Sequence, residues 1–111
     1  MGIDQIMSII QNGRKIRNKI SESVQMYSLS FNEFELLYVL SVQKESTPSK
    51  ISEAMGQGSS TVSRILRALS DKQLITLDTN HIDRRNITVK FTPRGEQMYA
   101  KTISRIKLSF V

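Results

Sequence analysis

Ser59-Ser60-Thr61-Val62-Ser63-Arg64-Ile65-Leu66-Arg67-Ala68-Leu69-Ser70-Asp71-Lys72 is the run around which the rest of the chain is arranged. Val62, Ile65, Leu66 and Leu69 recur at i, i+3, i+4 and i+7, which is one stripe of an amphipathic helix, and that stripe must be buried. The opposite face carries Ser60, Thr61, Ser63, Arg64 and Arg67, with no acidic residue in its N-terminal half. Such a face suits a groove lined by phosphates and base edges, because Arg donates bidentate hydrogen bonds and short hydroxyls let the backbone approach closely. Taken alone it reads more readily as an ordinary solvated helix face. The flanking segments favour the first reading.

Upstream, Thr47-Pro48 opens a short helix, Thr at the N-cap and Pro at the first position. Ile51, Ala54 and Met55 form its buried edge, and Gly56-Gln57-Gly58 ends it in a tight turn. Helix, glycine turn and second helix make a helix-turn-helix. Before it, Ser30 with Glu33 is a capping box and Leu29 with Phe34 its hydrophobic staple, so a core helix starts there and runs to about Gln43. Downstream, Leu74 to Leu77 and Ile87 to Phe91 are short, β-branched and partly alternating, two strands of a hairpin. The polar loop Asp78 to Asn86 between them lacks a compact turn and carries Arg84 and Arg85, as a wing would. Arginines in such an arm can enter a narrow minor groove. Thr92-Pro93 starts a last helix that carries Met98, Tyr99, Ile103, Ile106 and Phe110 to the C-terminus.

The first helix, Ile3 to about Val24, has Gly13 as a weak point. Its apolar residues do not share one stripe, since Ile9 and Ile16 sit well away from Ile3, Met7 and Ile10. More than one apolar side suggests contact with a second subunit; a terminal helix wrapped into its own core is the alternative.

At 111 residues, 39% of them apolar, the chain makes one domain with a modest core, expected to be mainly α with a small β-hairpin. A net charge of +6 and a pI near 9.9 favour a polyanionic partner, nucleic acid before a membrane surface. The positive excess concentrates from Ser59 to Arg94, while residues 31 to 46 are net acidic. With no cysteine, disulfides, thiolate metal sites and thiol-based redox sensing are excluded. No apolar run approaches the roughly 18 residues of a membrane span, and Asp4 stands where a signal peptide would be basic, so a cytoplasmic location is expected. His81 is the single histidine, without the neighbours a metal or general base needs, and no phosphate-binding glycine loop or nucleophile elbow occurs. No enzymatic activity and no cofactor are expected.

The order of these elements, with the words TPSKISEAMGQGSSTVSRILRALSDKQLITL and DRRNITVKFTPRG, resembles the MarR family of winged-helix transcriptional regulators. The likeness covers about Ser30 to Gly95, and the shorter staphylococcal SarA-like regulators are similar in architecture. The resemblance implies a homodimeric regulator of double-stranded DNA, usually a repressor on a pseudo-palindromic site. By position, Ser59, Ser60, Thr61, Ser63 and Arg64 match its recognition-helix contacts. Asp83 and Arg85 match its wing motif, the acid orienting the arginine. Residues 30–91 would form the DNA-binding lobe. Residues 1–26 and 92–111 would form dimerisation helices, with Ile3, Ile6, Met7, Ile10, Tyr99, Ile103, Ile106 and Phe110 at the interface. About 20 residues follow the wing where family members commonly carry two helices, so the dimer is expected to be built from less material. A small-molecule inducer or a protein partner remains open, as do two other roles for the fold: a protein-binding module and a nonspecific architectural DNA binder.

Overall fold

A computed structural model of the chain describes residues 1–79 and 86–111. Along the described residues the order is α1 (Ile3–Gln25), α2 (Phe31–Gln43), β1 (Glu45–Ser46), α3 (Pro48–Met55), α4 (Ser59–Asp71), β2 (Ile75–Thr79), β3 (Ile87–Phe91) and α5 (Pro93–Ser109). Helix α2 is central, packing against α1, α3, α4, α5 and the sheet. It begins at the expected capping box: Glu33 N–H donates to Ser30 Oγ at 3.1 Å, and Ser30 N–H to Glu33 Oε1 at 2.8 Å. Leu36, Leu37 and Leu40 on α2 are fully buried, together with Val24, Ile51, Val62, Leu69 and Val89 from the elements around it. Each such side chain contributes about 1.5–3 kcal/mol relative to exposure. Tyr99 of α5 closes the core from the far side, stacked on Phe34 at 6.1 Å between ring centroids and tilted against Phe91 at 5.8 Å.

The two expected strands pair antiparallel, Ile75 opposite Phe91 and Leu77 opposite Val89. Two details differ from the sequence reading. β2 starts at Ile75 rather than Leu74 and runs on to Thr79, with Asp78 opposite Thr88 and Thr79 opposite Ile87, so the ladder enters the segment expected to be loop. Backbone pairing does not require the alternation that the polar residues Asp78 and Thr79 lack. The hairpin is also not the whole sheet: β1 pairs with β3, giving the order β1-β3-β2. Two residues are too few to show any period in a sequence.

α4 ends in a Schellman motif. Gln73 N–H donates to the Ser70 carbonyl at 2.9 Å and Leu74 N–H to the Leu69 carbonyl at 3.0 Å, with Gln73 itself at φ 63. The turn after α3 uses Gly56 at φ 66, whereas Gly58 is an extended N-cap with φ −68, so one glycine supplies the left-handed conformation there. α1 runs through Gly13 without a break. No described helix is long and apolar enough to cross a membrane.

Candidate nucleic-acid interface

The helix-turn-helix is built by local hydrogen bonds and one buried stripe. Thr47 Oγ1 caps α3 by accepting the Lys50 N–H at 3.3 Å. Ser52 Oγ donates to the Gln57 carbonyl, holding the turn against the helix it leaves. Val62, Ile65, Leu66 and Leu69 of α4 are all buried, as their spacing requires. The rotation of α4 is thereby set, and Ser59, Ser60, Ser63, Arg64 and Arg67 are exposed while Thr61 is half-buried.

The electrostatics of that face are simple. Arg64 and Arg67 enter no ion pair among the described residues, whose two pairs are Lys72–Glu33 and Lys90–Glu45. The first turn of α4 contains no acid, and its N-cap Gly58 makes no side-chain bond, so no N-cap side chain occupies the leading N–H groups. Guanidiniums, hydroxyls and the uncapped N-terminus of the helix on one exposed face form a donor array suited to phosphate oxygens and base edges. Lys50, exposed in the first turn of α3, adds a cation that the sequence reading did not single out. Its signal was available in the Thr47-Pro48 start, which brings Lys50 to a helix N-terminus. Asp83, Arg84 and Arg85, the expected wing residues, lie outside the described residues, as does His81. Among the described residues no group of three or more His, Cys, Asp or Glu side chains could hold a metal ion.

Residues 18–102 match the family model described as Transcriptional regulator SarA/Rot. The chain belongs to the SarA/Rot family of transcriptional regulators. It is 32% identical over 85 residues to the uncharacterized HTH-type transcriptional regulator YpoP of Bacillus subtilis (strain 168), covering 77% of this chain and 60% of that protein. With YwaE of the same organism, also an uncharacterized HTH-type transcriptional regulator, it shares 29% over 91 residues, 81% of this chain and 53% of the relative. The chain thus spans between half and two thirds of the length of these relatives. In three dimensions it resembles a mutant MarR from E. coli complexed with operator DNA, with a TM-score of 0.83 at 18% identity over 94% of this chain and 74% of that one. The fold is therefore the MarR winged helix. The SarA/Rot match takes in the helix-turn-helix and the sheet but leaves out most of α1 before Asn18.

The expected dimer residues fall into two groups. Ile3 and Ile10 are 69% and 42% exposed, Ile6, Met7 and Phe110 are exposed as well, and the whole of α1 from its start to Lys19 is exposed. Tyr99, Ile103 and Ile106 instead pack half-buried against the chain's own core. α5 is held to α1 by a Ser23–Ser109 hydroxyl pair at 2.9 Å and by Lys19 over the Phe110 ring at 4.6 Å.

Proposed function

We propose that the protein is a sequence-specific regulator of double-stranded DNA, most simply a repressor, that acts as a homodimer. The observation that carries the reading is the outer face of α4, where Ser59, Ser60, Ser63, Arg64 and Arg67 are exposed together above a buried stripe. Ser60, Ser63 and Arg64 read base edges, and Ser59, Thr61, Arg67 and Lys50 hold phosphates. Arg84 and Arg85, with Asp83 to orient Arg85, lie between β2 and β3 in the sequence and supply the minor-groove contact. Residues 30–91 serve as the DNA-binding lobe, and residues 1–26 with 92–111 as the dimerisation helices. The protein acts by occupying promoter DNA, with no catalytic step.

The dimer reading draws support from α1. Ile3, Ile6, Met7 and Ile10 line one side of a helix that is exposed along that stretch, and helices in proteins draw most of their stability from packing such a face. A second copy placed on that stripe covers it and brings two α4 helices onto one duplex. Hydroxyl-radical footprinting on the DNA upstream of the protein's own coding sequence tests the arrangement. Two protected patches centred about 10 base pairs apart are expected. A single patch would contradict the symmetric dimer, and uniform weak protection would contradict sequence-specific binding.

A further inference from the structure

Helix α4 is attached to the body in two ways. Its apolar stripe holds it down, but burial of apolar surface is non-directional and leaves the tilt of a helix loosely specified. Its C-terminal end is held by directed bonds. Lys72, the C-cap of α4, donates from Nζ to Glu33 Oε2 at 2.8 Å, to Glu33 Oε1 at 3.0 Å and to the Ser28 carbonyl at 2.6 Å. Glu33 is a poor candidate for a solvated acid: its side chain is 10% exposed and it also accepts the Ser30 N–H. Each charge sits at the helix end whose dipole favours it, the carboxylate in the first turn of α2 and the ammonium at the end of α4. The next two carbonyls are anchored as well, Gln73 by Thr92 Oγ1 at 2.7 Å and Leu74 by the Thr92 N–H at 3.0 Å.

The charged anchor therefore lies at the end remote from Ser59, Ser60, Ser63 and Arg64, while the near end is tied only to α3, through the Ser52–Gln57 bonds of the turn. A helix of 13 residues is about 20 Å long, so a tilt of about 5° about Lys72 displaces its first turn by about 2 Å. Hydrogen bonds to base edges do not survive such a shift, whereas attraction to phosphates hardly notices it. We propose that Glu33 is a positioning residue for DNA recognition, acting through Lys72 to set the direction in which α4 presents its contact residues. The proposal rests on the DNA-binding reading above and assigns a role to a side chain outside both the helix-turn-helix and the wing.

The test compares wild type, Glu33→Ala, Lys72→Met and the double variant by fluorescence anisotropy on two duplexes, the upstream DNA and a shuffled one. Each protein is first confirmed folded by circular dichroism at the temperature used. Each single variant should bind the upstream duplex about three- to thirtyfold more weakly, and the double variant no more weakly than the worse single. Binding to the shuffled duplex and the salt slope should stay at wild-type values, a selectivity that simple loss of stability cannot produce. Folded single variants with wild-type affinity would overturn the proposal. So would a Lys72→Met salt slope lower by about one, which marks Lys72 as a direct phosphate contact. Should Glu33→Ala not fold, Glu33→Gln keeps the side-chain shape while removing the charge, and it must show the same selective loss. Wild-type protein that prefers neither duplex would instead refute the sequence-specific reading on which the proposal rests, an outcome that involves no variant.

Discussion

Gly95 lies against the Leu74 carbonyl so closely that a Cβ on it would stand 1.9 Å from that oxygen. The first turn of α5 is thereby seated on the residue that links α4 to β2, with the Gly95 N–H donating to Thr92 Oγ1 at 2.9 Å. Thr92-Pro93-Arg94-Gly95 thus has a physical cause at both ends, a cap and a close approach. Gly56 differs: it needs a left-handed backbone at φ 66, but a Cβ there meets nothing within 4 Å. Gly56→Ala should cost about 1 kcal/mol in urea denaturation, and Gly95→Ala about 3 kcal/mol or more, because backbone rather than a flexible side chain must move. Equal losses at the two sites would contradict the close packing of α5 on Leu74.

Gln73 occupies a left-handed position that its Cβ disfavours, and the Schellman bonds around it hold it there. Its side chain is exposed, so Gln73→Gly removes the backbone conflict without opening a cavity. Stability should rise by about 0.5–1 kcal/mol, read as a higher melting temperature. A fall would show that the side chain contributes more than its exposure indicates.

Glu33 gives stability a pH dependence of definite sign. Burial raises the pKa of its carboxyl, but hydrogen bonds from Lys72 and from the Ser30 backbone, with the charge of Lys72, outweigh that and leave it below the ordinary carboxylate value. A depressed folded-state pKa contributes stability that is fully present above the unfolded value of about 4.3 and is lost as pH falls through the folded value. The difference in melting temperature between wild type and Glu33→Gln should therefore be constant from about pH 6 to 7 and shrink below about pH 4. A difference that grows in acid would mean the carboxyl is held in its neutral form.

The exposed stripe of α1 and the half-buried residues of α5 should respond differently to charge. Met7→Asp or Ile10→Asp should dissociate the proposed dimer in sedimentation velocity while the winged-helix body keeps its melting transition. Ile106→Asp should chiefly lower that transition, since Ile106 packs on the chain's own core. A dimer unaffected by both α1 substitutions would place the interface elsewhere.

Much of this was legible in the residues because the signals were local. The capping box at Ser30 and Glu33, the Thr-Pro starts at residues 47 and 92 and the stripe of α4 each specify an element within a few positions, and the structure has each of them. What could not be read were relationships between distant positions. Glu33 was visible as a cap, but its pairing with Lys72, 39 residues away, exists only once α2 and α4 are packed. β1 is likewise invisible until β3 lies beside it. Tyr99 and Ile106 repeat at helical spacing along α5, and spacing alone does not say whether a stripe faces its own core or another chain.

On the proposed function, α4 reads a sequence. Fluorescence anisotropy of the purified protein on its upstream DNA and on a shuffled duplex, across about 50 to 300 mM salt, tests it most directly. The predicted result is a preference for the upstream DNA of about 10³-fold or more at physiological salt, reduced in Arg64→Ala. Equal binding of both duplexes with a steep salt slope, or binding of neither, would contradict it.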